Sequence, residues 1–175
     1  MGSKILFLYF SFLTLVANCQ VVNVHSGIRE AYDYSIKSLN SSNELLSSLK
    51  AGISATSPKF NPHYFNSVNN SIDIIINYSR IAAENASLIK SAAGNINCPK
   101  ADSVAIIAEL FYLGALSSFA EARIQIKSAT ESKDSDSSKR FLQEAIKSTL
   151  KGIQNLDNGT TEHKKLVMAL KECHL

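Results

Sequence analysis

Histidine, the side chain that most readily exchanges protons or binds metals near neutral pH, occurs four times in the chain. His163 and His174 are eleven residues apart, so they do not form a compact pair of ligands. His25 and His63 have no histidine or cysteine partner at metal-ligand spacing. The sequence also has no Gly-x-Ser-x-Gly elbow, phosphate-binding glycine loop or dinucleotide fingerprint. We therefore predict a protein that is not an enzyme and that uses no metal or cofactor.

A single carboxylate remains as a candidate for acid chemistry. Glu109 is the only charged residue between Val104 and Ala120. A lone carboxylate among apolar neighbours can have a shifted pKa and act as an acid. More often such a group reaches the surface or meets a lysine, here one from the fourth predicted helix. A hydrolase that uses His163 or Glu109 is the remaining enzymatic hypothesis.

The three cysteines indicate the compartment. Cys19 lies at the end of an apolar N-terminal segment, which leaves Cys98 and Cys173 as an even pair. In an oxidising compartment we expect them to form one disulfide, although free thiols or a bridge to a partner chain are alternatives. The bond would close a loop of about 75 residues, for a stabilisation of about 4 kcal/mol.

The N-terminus has the features of a secretory signal. Lys4 precedes an uncharged run of twelve residues, 5–16, and small residues stand before Gln20. The run is shorter than the roughly 20 residues that span a bilayer. We predict that residues 1–19 are a cleaved signal peptide and that 20–175 form a single extracellular domain. An uncleaved anchor and a lipidated Cys19 are the alternatives.

Potential N-glycosylation sites support a secreted protein. Five Asn-x-Ser/Thr sequons occur, at Asn40, Asn69, Asn77, Asn85 and Asn158. A chain rich in asparagine and serine contains some sequons by chance, so their meaning depends on the predicted signal. Glycans on the second predicted helix would shield its outer face and favour helices three to five for protein binding.

The apolar spacing predicts an all-α protein, an up-down antiparallel bundle of four long helices plus a short fifth one. Expected helix boundaries are 26–53, 62–94, 99–127, 139–156 and 160–173. Ser26 and Asn61 are expected N-caps, and Pro62 and Gly94 mark the ends of the second helix. Residues 128–138 are predicted to be a loop, and Asp157-Asn158-Gly159 a turn.

The third predicted helix is apolar on two faces, which is typical of a central helix. The expected core stripe is Val104, Ile107, Ala108, Phe111, Ala115, Phe119 and Ala122. The opposite stripe is Ile106, Leu110, Leu113 and Ile124. Either the fifth helix covers this second stripe, or part of it is a groove for an apolar ligand or partner.

Net charge excludes little and points to no charged partner. The chain without residues 1–19 carries 17 basic and 15 acidic residues. This slight excess is typical of a solvated surface, so we predict no nucleic-acid binding and no stable membrane insertion.

The leading hypothesis is a secreted, non-enzymatic bundle that binds another macromolecule in an extracellular fluid, with contacts on the exposed parts of helices four and five. The alternative is an extracellular carrier of a lipid or other small apolar ligand held beside helix three.

Overall fold

The computed structural model describes residues 2–54, 62–95 and 98–173, with side chains from Val24 onward. It contains four helices, α1 (Gly2–Ser54), α2 (Pro62–Ala93), α3 (Pro99–Glu131) and α4 (Ser135–Glu172). The all-α class is confirmed. The predicted signal segment and its cleavage site precede the first described side chain, and the predicted Asn61 cap and His174 also lie outside the described residues.

The helices form a four-membered ring in which each one packs against its neighbours in sequence and α4 closes the ring against α1. Along each pair of neighbouring helices, the contacting residue numbers increase in one helix while they decrease in the other, as antiparallel helices require. These pairs include Ser38 with Ser79, Lys90 with Glu109, Asp73 with Arg123, and Lys100 with Glu172. The order of the bundle is therefore up-down-up-down.

Local signals at both ends of α2 have the predicted effect, and a cap that was not predicted begins α4. Pro62 begins α2, where its missing N–H leaves no intrahelical bond unmade, and Gly94 follows the last residue of that helix. Asp134 caps α4, because its side chain accepts a hydrogen bond of 2.8 Å from the backbone N–H of Ser137. Ser26, by contrast, is not an N-cap, since α1 continues through it.

The predicted loop at 128–138 is reduced to three residues, 132–134, between α3 and α4. Ser138, at the end of this segment, is compatible with helix because its hydroxyl finds a partner inside the bundle. Ser138 is fully buried and donates to the backbone oxygen of Ala129 at 3.0 Å. The polar composition that predicts a loop therefore belongs to two helix ends packed on each other.

The fifth helix is the main error of the sequence-based prediction. Helix α4 continues without a break through Asp157, Asn158 and Gly159. Gly159 is buried against the ring of Tyr112, and Thr160 donates to the backbone oxygen of Asp157 at 2.7 Å. These tertiary and local contacts override the turn propensity of the Asp-Asn-Gly sequence.

Buried positions recur every seven residues on all four helices, which is the spacing that lets neighbouring helices pack side by side along their length. Small residues occupy many of these positions. On α3 one row is Ala101, Ala108, Ala115, Ala122 and Ala129, and the other is Ala105, Tyr112, Phe119 and Ile126. On α4 the facing row is Ser138, Ala145, Gly152, Gly159 and Leu166. Large side chains of α3 thus meet small residues of α4.

The Cys98–Cys173 disulfide is confirmed, with a Cα–Cα distance of 6.2 Å. A fifth helix folded across the end of the bundle is not needed to form it. Helix α4 runs antiparallel to α3 over its whole length, so its last residues lie beside the first residues of α3. Cys98 belongs to a core cluster, and Cys173 packs against it; the other members are five alanines and Val24, Ile28, Ile89, Leu166 and Leu170.

Removing the disulfide should lower the free energy of unfolding by about 4 kcal/mol, because an open unfolded chain has more conformational entropy. Thermal or urea denaturation of the wild type with and without reductant measures the loss. The Cys98→Ser/Cys173→Ser double variant is the control, and its stability should not respond to reductant. Equal stability of the oxidised wild type and the double variant would contradict this expectation.

Two helical glycines should respond in opposite ways to alanine. A β-carbon on Gly152 would lie 2.6 Å from two ring carbons of Phe119, so Gly152→Ala should destabilise the protein by about 1–3 kcal/mol. A β-carbon on Gly114 would meet only the amide end of Asn155, at 3.0 Å, which can rotate away. Gly114→Ala should therefore be neutral or stabilising by up to about 1 kcal/mol. Paired urea denaturation curves check both values, and a neutral Gly152→Ala would show that the ring has room to move.

Candidate interaction face on helix α3

Helix α3 has a continuous uncharged stripe on the side away from the core. We call it the α3 outer stripe; its members are Ser103, Ile106, Leu110, Leu113, Ser117, Ala120 and Ile124. Successive members are three and four residues apart, so they share one face of the helix. All seven are exposed. The spacing is the same as that of the buried stripe on the opposite side of the helix.

The four residues predicted to line an apolar groove all belong to this stripe. Their exposed fractions are 42% for Ile106, 62% for Leu110, 44% for Leu113 and 62% for Ile124. Ile107, predicted to lie in the core stripe, is also 43% exposed. The expected cover by a fifth helix is wrong, because that segment continues α4 and directs Leu166 and Leu170 into the core instead.

The stripe is a convex helix surface, and none of its members lines either of two surface grooves found among the described residues. A groove of about 490 Å³ lies between α1 and α2 and is lined by Gly27, Asn85 and Leu88 among others. A second, of about 400 Å³, lies near the α3–α4 connection beside Gln125, Arg140 and Phe141. None of the four predicted groove residues lines either one.

Glu109 lies in the α2–α3 interface, where only 7% of the residue is exposed. It accepts a hydrogen bond of 2.6 Å from Ser87 and forms an ion pair of 2.6 Å with Lys90. Burial acts to raise the pKa of this carboxyl, but the bonds and positive charge from α2 outweigh it and lower the pKa below its usual value. The partner is thus a lysine of α2, not of α4, and the carboxylate does not interrupt the outer stripe.

His163 is buried in the α3–α4 interface, with 1% of the residue exposed. Its Nδ1 lies 3.2 Å from the hydroxyl of Tyr112, and the two ring centroids are 5.0 Å apart. Nε2 has no hydrogen-bond partner among the described residues. Burial lowers the pKa of His163 to about 4 and raises that of Tyr112, so both groups are neutral at pH 7.

The histidine and the carboxylate do not assemble into one site. Glu109 is bonded to α2, whereas His163 contacts Tyr112 across the α3–α4 interface. Among the described side chains, those of residues 24–54, 63–95 and 98–173, no three His, Cys, Asp or Glu are grouped closely enough to hold a metal ion.

The sequons lie on three helices, and α3 carries none. Asn40 of α1 and Asn77 of α2 are exposed. Asn69 and Asn85 of α2 and Asn158 of α4 are half-buried. The distribution leaves the α3 outer stripe without a potential glycan of its own.

Helix α3 is also long and apolar enough to cross a membrane by length and composition alone, with a mean hydropathy of 1.7 in its most apolar window. Core helices of soluble proteins have the same property. In this bundle one side of α3 packs into the core, and Glu109 holds an ion pair with α2.

Comparisons with protein-family models, with characterised proteins and with solved structures found no match to this chain.

Sequence reasoning missed the buried hydroxyl groups that line the helix interfaces. Ser38 and Ser79 are fully buried and their hydroxyl oxygens are 2.8 Å apart, linking α1 to α2. Thr149 is also buried and donates to the backbone oxygen of Ala145 at 2.7 Å. The signal that could have revealed them is their place in the seven-residue spacing, which emerges only when small polar residues are counted with the apolar ones.

The depressed pKa of His163 predicts a loss of stability in mild acid. The unfolded chain takes up a proton near pH 6.5, whereas the folded protein does so only near pH 4. The contribution of His163 to the free energy of unfolding is therefore fully present above pH 6.5, and it is lost as the pH decreases toward 4. By pH 4.5 the loss should be about 2–3 kcal/mol.

His163→Gln provides the control, because an amide can still bond to Tyr112 but does not titrate. Urea denaturation at pH 7.5 and pH 4.5 measures both proteins, and the fall in unfolding free energy should be about 2–3 kcal/mol smaller for the variant. Carboxylates titrate in both proteins and cancel in the comparison. An identical fall in the two proteins would show that the histidine is protonated in the folded state at pH 4.5.

Proposed function

We propose that the chain is a secreted, non-enzymatic helical-bundle protein that acts by binding another macromolecule in an extracellular fluid. Its binding surface is the α3 outer stripe. This assignment moves the contact surface from the exposed parts of the fourth and fifth predicted helices to α3.

The observation that carries the proposal is the concentration of exposed apolar side chains on one helix. Among the described side chains, ten large hydrophobic residues are exposed, and five of them are on α3: Ile106, Ile107, Leu110, Leu113 and Ile124. Single exposed apolar residues are ordinary, but a contiguous row of them is typical of an interaction surface. Interfaces of this kind are poor in charge at their centre and polar at the rim.

The shape of this surface favours a macromolecule over a small apolar ligand. Small-molecule sites are concave and enclose most of the ligand. Leu110 and Ile124 are each 62% exposed on the convex side of a helix, which gives a lipid chain no enclosure. A helix or sheet of a second macromolecule could cover the same side chains along their full length. The carrier hypothesis remains the second candidate, supported by the apolar character of these residues.

Extracellular placement is supported by three features of the chain. These are the N-terminal apolar segment, the Cys98–Cys173 bond and the five sequons. Disulfides persist mainly in oxidising compartments. The binding surface lies on the helix that has no sequon, so attached glycans would leave α3 itself uncovered.

Introducing two lysines on the stripe should weaken binding of the macromolecule strongly. In Leu110→Lys/Leu113→Lys, two ammonium groups would have to lose their water shell on contact with a partner, while both side chains remain solvated in the free protein. We expect at least about tenfold less macromolecule to be retained from the extracellular fluid of the producing tissue, since each such group costs more than about 1.4 kcal/mol. Immobilised wild type and variant, followed by mass spectrometry of what they retain, measure this ratio.

Leu88→Lys is the matched control, because Leu88 is 67% exposed but lies on α2. It should retain as much as the wild type, and circular dichroism should show equal helix content in all three proteins. Equal retention by all three proteins would reject α3 as the binding surface. Release of a small apolar molecule by the wild type, lost in the double variant, with no macromolecule retained, would support the carrier hypothesis instead.

A further inference from the structure

We propose that the partner of the α3 outer stripe is a second copy of this chain, bound in antiparallel orientation through the same stripe. The inference rests on the proposed function, because it assigns a partner to the surface defined there. The result is a symmetric dimer in which α3 packs against α3.

The spacing of the stripe matches the seam of a two-helix coiled coil. Successive members are separated alternately by three and four residues over 103–124, a length of about 32 Å at 1.5 Å per residue. In the antiparallel pairing, Leu110 of one copy lies level with Leu113 of the other, and the reverse contact follows by symmetry. On either side of this centre Ile106 lies level with Ser117, a large residue facing a small one, and further out Ser103 lies level with Ala120, two small residues.

Charged residues flank the stripe on both sides. Lys100 and Glu121 lie on the side of α4, and Lys100 forms an ion pair with Glu172 of that helix. Asp102 and Arg123 lie on the side of α2, and Arg123 forms an ion pair with a carboxylate of α2. Glu109 also lies on the α2 side, but it is buried in its ion pair with Lys90. Apart from it, each flank has one acidic and one basic residue, 21 positions apart and in opposite order.

In the antiparallel register given above, both flanks become complementary between the two copies. Lys100 lies two residues from the level of Glu121 of the second copy, and Asp102 lies two residues from the level of Arg123 of the second copy. An offset of two residues is about 3 Å along the helix, which these side chains can span. Because of the symmetry each contact occurs twice, which gives four intermolecular ion pairs around an uncharged centre.

A parallel arrangement does not give these pairs. In parallel coiled coils a flanking residue meets the residue five positions further along the partner. Asp102 would then face Ile107, and Arg123 would face Ser128. Glu121, on the other flank, would face Leu116, which lies five positions earlier in the partner. Charge complementarity therefore selects the antiparallel orientation.

The ion pairs within each copy are compatible with this contact. Lys100–Glu172 and Arg123–Asp73 have side chains more than half exposed, so each pair contributes little stability within the monomer. A guanidinium has five N–H donors and can bind two carboxylates at once. Glu121 is exposed and makes no ion pair within the described residues, so it is available to a lysine of the second copy.

Sedimentation equilibrium of the purified, secreted chain tests self-association over a range from about 1 to 500 µM. A contact made by one helix from each copy is smaller than a standard interface, so we expect a dimer with a Kd of roughly 10–100 µM. Leu110→Lys/Leu113→Lys should raise the Kd at least about tenfold, because four buried ammonium groups would meet at the centre. Leu88→Lys should leave the Kd unchanged within about twofold.

Charge exchange tests the orientation. Lys100→Glu and Glu121→Lys should each raise the Kd by about fivefold or more, since each replaces two attractive contacts by two repulsive ones. The combined variant restores opposite charges on the same flank, so its Kd should return to within about twofold of the wild type. Rescue of this kind is not expected if the two residues act only through contacts inside one copy, because they lie at opposite ends of α3.

Three results would overturn the proposal, and they are separable from failure of the proposed function. A wild type that remains monomeric up to 500 µM would exclude self-association of the stated strength. A dimer insensitive to Leu110→Lys/Leu113→Lys would place the contact elsewhere, and absence of charge rescue would reject the antiparallel register. If the chain is monomeric and the stripe nevertheless retains a different macromolecule, the proposed function stands and the second copy is not the partner.

Discussion

The close approach of α3 and α4 is the constraint on which the other features of this bundle depend. Two aromatic rings of α3, those of Phe119 and Tyr112, lie where β-carbons would stand on Gly152 and Gly159 of α4. Because the glycines have no side chains, the rings can be fully buried between the helices. The same contact holds α4 straight through a sequence that favours a turn, and it aligns the two helices from Ser138 at one end to Cys173 at the other.

That alignment decides which surfaces are covered. The last third of α4 remains in the core layer, where it buries Leu166 and Leu170 and brings Cys173 to Cys98. It is then not available to fold over the outside of α3. The exposure of Leu110 and Ile124 is thus a direct consequence of the unbroken α4, because both features follow from the same row of small residues.

Much of the fold could be predicted from residues that act locally. Proline at the start of a helix and glycine after its end have the same effect in most contexts, so the bounds of α2 and the start of α3 agree with the structure. The disulfide followed from counting cysteines. The course of α4 could not be predicted, because Gly159 is a turn residue by propensity and a packing residue only when Tyr112 stands opposite.

The residues of the candidate site could be predicted from the sequence, but their exposure on an uncovered helix surface could not. The spacing indicated a second apolar stripe on α3, and the same four residues stand on the exposed face. Whether such a stripe is core, groove or free surface depends on the neighbouring element, which a single helix does not specify. Likewise, Glu109 could be recognised as unusual, but its bonds to Ser87 and Lys90 require the α2–α3 register.

Folding alone gives no reason for the α3 outer stripe to be free of charge. Lysine or glutamate at an exposed helix position usually changes stability by less than about 0.5 kcal/mol, so charged residues would be tolerated at Leu110 or Leu113. The same chain places charged side chains on the outside of α4, including Lys147, Lys151 and Lys164. On α3 the single carboxylate within the apolar segment is directed into the α2 interface. The bundle therefore does not need this uncharged outer row, whose seven residues extend over 103–124, in order to fold. Contact with another chain is the physical circumstance in which such a row lowers the free energy.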